Sequence, residues 1–232
     1  MEPILECHGL SKAYSGFLAL NNINLTFNRG RIIGLLGPNG SGKSTFLKLI
    51  NGLLVPSAGS ILINGVAPGE QSRLSISYLP ERTYLPDNLT IRRIVDFFND
   101  FYSDFDRKKA ADMLNRLNLN PDLNLKILSK GNKEKVQLIL VMSRNAQLYC
   151  LDEPIGGVDP AARDYILNTI VGNYNRNATI LISTHLIQDI ETILDDVIFI
   201  QNGNIRLYAP AEEVRRQEGR SIDDYFREVF RC

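Results

Sequence analysis

Apolar and polar residues alternate over residues 21–27, placing Ile23, Leu25 and Phe27 on one side, as in a strand with one buried face, and Arg29-Gly30 turns the chain. Residues 32–36 are an unbroken apolar run, which suits a strand buried on both faces of a parallel sheet. A glycine-rich turn follows, and a helical stretch over 44–49 reaches Gly52, a residue suited to the backbone just past a helix end. Residues 60–63, the hairpin dipeptide Asn64-Gly65 and residues 76–79 predict further antiparallel strands beside the first, a small β layer. From Thr90, an N-cap, to about Arg144 the apolar period becomes helical, with Ile91, Ile94, Val95 and Phe98 on one face and Met113, Leu114 and Leu117 later. Strand patterns return at 148–151, 179–183 and 197–200, the last turned by Asn202-Gly203 into 205–208. Asp159-Pro160 offers cap and first-turn chemistry for a helix to about Val171. The tail from Ala211 is helical, with Ser221 and Asp224 as a capping pair and Tyr225, Phe226, Val229 and Phe230 as a stripe that packs on the core.

These elements predict one α/β domain over residues 1–232, with a core from 1–83 and 144–232 and an inserted helical part at 84–143. A chain of 232 residues buries a core without disulfide or metal staples. With 44% hydrophobic and 22% charged residues the composition is that of a soluble globular protein. No apolar run approaches the ~18 residues that span a bilayer, and the opening MEPILECHGL lacks a basic region followed by an apolar one, which predicts a cytoplasmic location. Lys plus Arg and Asp plus Glu balance at 26 each, against a nucleic-acid partner held by counterion release. Cys7, Cys150 and Cys232 form no CxxC pair and there are only 2 His, so a zinc site is excluded and the thiols are expected to be reduced.

Gly37-Pro38-Asn39-Gly40-Ser41-Gly42-Lys43-Ser44 matches G-x-x-x-x-G-K-[ST], the phosphate loop. Glycines let successive main-chain N–H groups curl round an anion, the following helix adds its positive end, Lys43 reaches the terminal phosphates and Ser44 binds Mg²⁺, with Thr45 completing the contacts at the helix start. The strand before and the helix after it argue against a chance glycine-rich turn. The run Leu148-Tyr149-Cys150-Leu151 ends in Asp152-Glu153. Neighbouring strand residues face opposite ways, so the two carboxylates divide their labour: Asp152 holds the metal and Glu153 orients and deprotonates the attacking water.

With Leu128-Ser129-Lys130-Gly131-Asn132 shortly before the acidic strand, the chain resembles the ABC-type ATPases, whose signature is usually written LSGGQ. The resemblance covers nearly the whole chain and implies a P-loop NTPase core with a flanking antiparallel β subdomain and an inserted α-helical subdomain. It implies ATP and Mg²⁺ as cofactors, and a second copy or a homologous subunit as partner in a head-to-tail dimer. In that dimer Ser129 and Gly131 of one chain face the γ-phosphate held by the other. Tyr14 matches the aromatic that stacks on adenine, with plain strand packing as the alternative. Val158-Asp159 resembles the dimer-contact loop, and Asp159 also suits a helix cap. His185, after Ser183-Thr184, resembles the switch histidine at the γ-phosphate, and with Lys43 and Glu153 makes up the catalytic set. The resemblance further implies membrane-spanning partner subunits docked through 84–143, and a peripheral place at the inner face of the membrane.

Three residues depart from the family pattern. Glu81 stands where Gln is common, retaining a metal-binding oxygen but adding negative charge beside Mg²⁺; Lys130 replaces Gly and Asn132 replaces Gln in the signature. These leave open a slow or regulatory ATPase, and a non-transport ABC protein is the other rival. The stretch DEPIGGVDPAARD is similar to ATPase subunits of bacterial drug, antibiotic or peptide exporters, an association that says nothing of cargo.

Overall fold

The structure is a computed structural model that describes residues 2–156, 158 and 160–230. In chain order it contains β1 (Leu5–Tyr14), β2 (Phe17–Phe27), β3 (Ile32–Leu36), α1 (Lys43–Ile50), β4 (Ala58–Ile63), α2 (Glu70–Arg73) and β5 (Ile76–Leu79). Then come α3 (Ile91–Phe101), α4 (Arg107–Arg116), α5 (Lys130–Met142), β6 (Leu148–Asp152), α6 (Pro160–Gly172) and β7 (Thr179–Thr184). The chain closes with α7 (Ile187–Ile190), β8 (Asp196–Gln201), β9 (Asn204–Pro210), α8 (Ala211–Glu218) and α9 (Ile222–Val229).

Two sheets organise these elements: an antiparallel one of three strands, β2-β1-β4, and one of six, β5-β6-β7-β3-β8-β9, parallel except for the β9 edge. The apolar runs follow from burial on both sides. Ile33, Leu35, Leu148, Cys150, Leu181, Ile198 and Ile200 pack with α1 and the three-stranded sheet, while Ile32, Leu36, Tyr149, Leu151, Ile180, Ile182, Val197 and Phe199 pack with the helices of the other face. Burial pushes the thiols of Cys7 and Cys150 up to about 12, so both stay protonated hydrophobes.

One expected strand is placed differently. Residues 76–79 are not antiparallel beside the first strands; β5 runs parallel to β6 at the edge of the large sheet. The Asn64-Gly65 turn does form, with φ of 51° and 74°, but it closes only onto a single bridge between Ile63 and Val66. The one-turn helix α2 then carries the chain from the small sheet to the large one. Strand β1 pairs with both β2 and β4, and its register shifts at three places along β2, which blurs any simple alternation in its sequence.

Thr90 caps α3, its hydroxyl accepting from the Arg93 N–H at 3.3 Å, and Ile91, Ile94, Val95 and Phe98 are the buried face. Ser221 caps α9, and Tyr225, Phe226 and Phe230 gather round Phe199, whereas Val229 is 37% exposed and leaves the stripe. The Asp159 cap and Cys232 lie outside the described residues.

Candidate functional site

Parallel pairing brings four strand ends to one edge. Leu36 of β3 stands beside Thr184 of β7, Asp152 of β6 beside Ser183 of β7, and Leu79 of β5 beside Leu151 of β6. The loops that leave these ends therefore meet, at the position where open α/β sheets bind ligands. Between them lies a cleft of about 1020 Å³, the size class of a small-molecule site.

The glycine loop at residues 37–42 owes its shape to space as well as to backbone angles. A Cβ on Gly37 would sit 2.4 Å from the Ile200 carbonyl, and Gly42 has a φ of +111° with the Ala19 carbonyl 2.7 Å from where a Cβ would be. Asn39, Gly40, Ser41, Gly42, Lys43, Ser44 and Thr45 line the cleft, whereas Gly37 and Pro38 lie behind it. Their carbonyls accept from the Lys43 ammonium at 2.6 and 3.2 Å. Burial lowers the Lys43 pKa, opposed by Glu153, Asp152 and Glu81. Ser41 Oγ is buried and has no hydrogen-bond partner.

Asp152 is buried below the cleft, and its Oδ1 accepts from the Ser44 hydroxyl at 3.3 Å and from the Ser183 hydroxyl. Glu153 points the other way, into the cleft. Its Oε2 accepts from the Thr184 hydroxyl at 3.2 Å and lies 3.0 Å from His185 Nδ1, and its Oε1 is 3.8 Å from the Lys43 ammonium. The strand ends at Asp152 and Glu153 turns away on a left-handed backbone, so the two carboxylates separate, one toward the loop serine and one toward the open space. Tyr14 and Glu81 also line the cleft. Ser129 and Gly131 are not among its lining residues; Ser129 caps α5, accepting from the Asn132 N–H at 3.3 Å.

Sequence reasoning passed over several lining residues. Phe17 and Ala19 flank Tyr14, Arg82 and Thr83 follow Glu81, and Lys133 and Glu134 come from the first turns of α5. Thr184 and Ser183 carried a usable signal: two hydroxyls at the end of a buried strand, next to His185.

The glycine cradle at the start of α1, the lysine folded into it, the orphaned Ser41 hydroxyl and the carboxylate pair at the neighbouring strand end together define a nucleotide-hydrolysing P-loop domain. A family profile described as "ABC transporter" matches residues 20–156. The chain is 31% identical over 217 residues to the ABC transporter ATP-binding protein YtrB of Bacillus subtilis, covering 92% of this chain and 74% of that one. It is 29% identical to the SkfA peptide export ATP-binding protein SkfE of the same organism, over 90% and 91% of the two chains. A solved ATP-binding subunit of an ABC transporter superposes with a TM-score of 0.88 at 30% identity, over 97% of this chain and 99% of that one. The protein belongs to the ABC transporter family, as an ATP-binding, ATP-hydrolysing subunit.

Proposed function

We propose that this chain, with Mg²⁺ and ATP, is the motor that moves a substrate outward through separate membrane-spanning subunits, and that it acts as a head-to-tail dimer with a second copy or a homologous subunit. The observation that carries this is the convergence of Lys43, Glu153 and His185 on one cleft, with Thr184 buried behind Glu153 and Ser44 and Asp152 joined at the cleft's floor. Residues 39–45 hold the phosphates through main-chain N–H groups and the Lys43 ammonium, which the Gly37 and Pro38 carbonyls position from behind, and Tyr14 stacks on the base. Ser44, Asp152 and Glu81 hold Mg²⁺. This donor set suits that ion, which takes one or two carboxylates plus phosphate and water oxygens, and among the described residues no group of three or more His, Cys, Asp or Glu forms a cage. When bound, Mg²⁺ neutralises charge that develops between the outer phosphates.

Glu153 orients the attacking water and takes its proton, while Thr184 fixes the carboxylate and His185, on the same oxygen, reports whether the third phosphate is present. Ser129 and Gly131 stand at the start of α5 and are not among the cleft's lining residues, although Lys130 between them is; they face the γ-phosphate held by a partner. Because ATP favours the closed dimer, closure and nucleotide affinity rise together. Residues 84–143 meet the membrane subunits, which places the chain at the inner face of the membrane. Among the described residues no helix is long and apolar enough to cross it. Outward movement is supported by the likeness to a peptide export protein.

Glu153→Gln tests the assignment. The variant is expected to bind Mg-ATP as the wild type does, to release no phosphate and to elute as a dimer with ATP. Equal phosphate release by variant and wild type refutes the role of Glu153, and a monomer at saturating ATP refutes the sandwich.

A further inference from the structure

Gln137 is a polar residue in the apolar part of α5: its neighbours Val136, Leu138, Ile139 and Leu140 are buried, and it is itself only 2% exposed. A carboxamide in such a place is costly unless both of its ends are used. Both are. Oε1 accepts from the Tyr84 N–H at 3.3 Å and Nε2 donates to the Pro80 carbonyl at 3.4 Å. A main-chain N–H needs an acceptor and a carbonyl needs a donor, so one orientation of the amide serves both. Between the two anchors lie only Glu81, Arg82 and Thr83, and all three line the nucleotide cleft.

The contact belongs to a row along one side of α5. Lys133, one turn earlier, holds Asp87 at 2.7 Å, and the Val141 carbonyl, one turn later, accepts from the Ser77 hydroxyl at 2.8 Å. The helix thus tracks the chain from β5 through the Glu81 loop and beyond it. Its capped end at Ser129 is eight residues from Gln137, about 12 Å along the axis.

We propose that Gln137 is a positioning residue: it clamps the base of the 81–83 loop, sets the Glu81 carboxylate in the cleft, and ties that carboxylate to the orientation of the Ser129 end of α5. This rests on the role given above to Glu81. A helix is stiff along its axis, so a tilt of α5 that repositions Ser129 pulls on both anchors of the loop. The clamp therefore links the residue that serves a chain's own metal to the residue that faces its partner's nucleotide.

The test uses the full chain and five variants: Glu81→Ala, Gln137→Met, the two combined, Gln137→Glu and Ser77→Ala. Methionine keeps the volume and loses both hydrogen bonds. Glutamate keeps the Tyr84 bond but sets an acceptor against the Pro80 carbonyl, and it stands in where the methionine variant does not fold. Ser77→Ala loses another buried bond to α5 away from the loop. The readouts are the Mg²⁺ concentration for half-maximal binding of a fluorescent, non-hydrolysable ATP analogue, phosphate release, and melting temperature.

Glu81→Ala and Gln137→Met are each expected to raise the Mg²⁺ requirement about tenfold, as losses around a metal site commonly do. The double variant is expected to be no worse than either single one, and Ser77→Ala to lower the melting temperature while leaving the Mg²⁺ requirement at the wild-type value. The clamp is overturned if Gln137→Met keeps wild-type Mg²⁺ dependence while Glu81→Ala does not, if the two effects multiply in the double variant, or if Ser77→Ala shifts the requirement equally. If Glu81→Ala alone changes nothing, the assigned role of Glu81 fails first, and the clamp's function fails with it.

Discussion

Glu153 holds a left-handed backbone, with φ of 49°, directly after the last strand residue Asp152. A non-glycine residue in that region stores roughly 1–3 kcal/mol of strain. Its main-chain N–H donates to the Ser183 carbonyl at 3.0 Å, and the Glu153 carbonyl accepts from the N–H of Gly156 at 3.0 Å, so the neighbouring strand and the following turn keep it there. The strain aims the carboxylate at Lys43, Thr184 and His185. Tyr14, 41% exposed and with the Lys12 ammonium 5.2 Å from its ring centre, ends β1 at the rim of the same cleft. Strand packing does not account for so open a ring. Tyr14→Ala is expected to weaken ATP binding by about 1–3 kcal/mol with little change in melting temperature, measured by calorimetric titration with ATP. A large loss of stability with unchanged affinity would make Tyr14 a packing residue.

At the scale of elements, the two helix starts to which the proposed function gives a phosphate are built differently. The loop into α1 is glycine-rich with no side-chain cap, leaving its N–H groups free to turn toward an anion, and its far end is closed by Gly52 and Leu53, whose N–H groups donate to the Leu49 and Lys48 carbonyls at 3.1 and 2.9 Å. The start of α5 has a side-chain cap and no acidic residue in its first turn. Ser129 caps α5 and is proposed above to face the partner's γ-phosphate, and substitution separates the two roles. Ser129→Ala should lose about 1 kcal/mol of stability with the cap. Ser129→Asp should keep the cap and the melting temperature, yet set a negative charge against the partner's phosphate. Both are expected to abolish ATP-induced dimerisation in the Glu153→Gln background, read by light scattering. Dimerisation that survives in Ser129→Asp would remove Ser129 from the phosphate contact.

Across the whole molecule, the helical part is fastened to the large sheet through Arg144, which is buried just past α5. Its guanidinium pairs with Asp104 at 2.9 and 3.1 Å, donates to the Leu74 carbonyl at 2.8 Å and to that of Ile76, and lies 3.9 Å from the Tyr102 ring centre. Tyr149 of β6 donates to the Arg144 carbonyl at 2.6 Å. Removing such a cation strands a carboxylate and two carbonyls together, so Arg144→Ala is expected to cost about 3 kcal/mol in urea unfolding. The ATP affinity of the folded fraction should stay near wild type, because Arg144 does not line the cleft.

Local chemistry made the phosphate loop, the acidic strand end, the caps at Thr90 and Ser221 and most strands legible in the sequence, because each depends on neighbours a few residues away. Asn64-Gly65 was legible as a turn for the same reason, yet not its consequence: whether the chain after it pairs back or crosses to another sheet depends on where the apolar faces of distant strands are buried. That is why residues 76–79 lie parallel to β6 instead of beside β4. Only the tertiary structure decided which strand ends meet, how Lys43 and His185, 142 residues apart in the chain, come to share one carboxylate, and what a buried glutamine on α5 is for. Residue types set which groups are able to grip phosphate. Strand order and register, fixed by burial across the whole sheet, set which of them do so together.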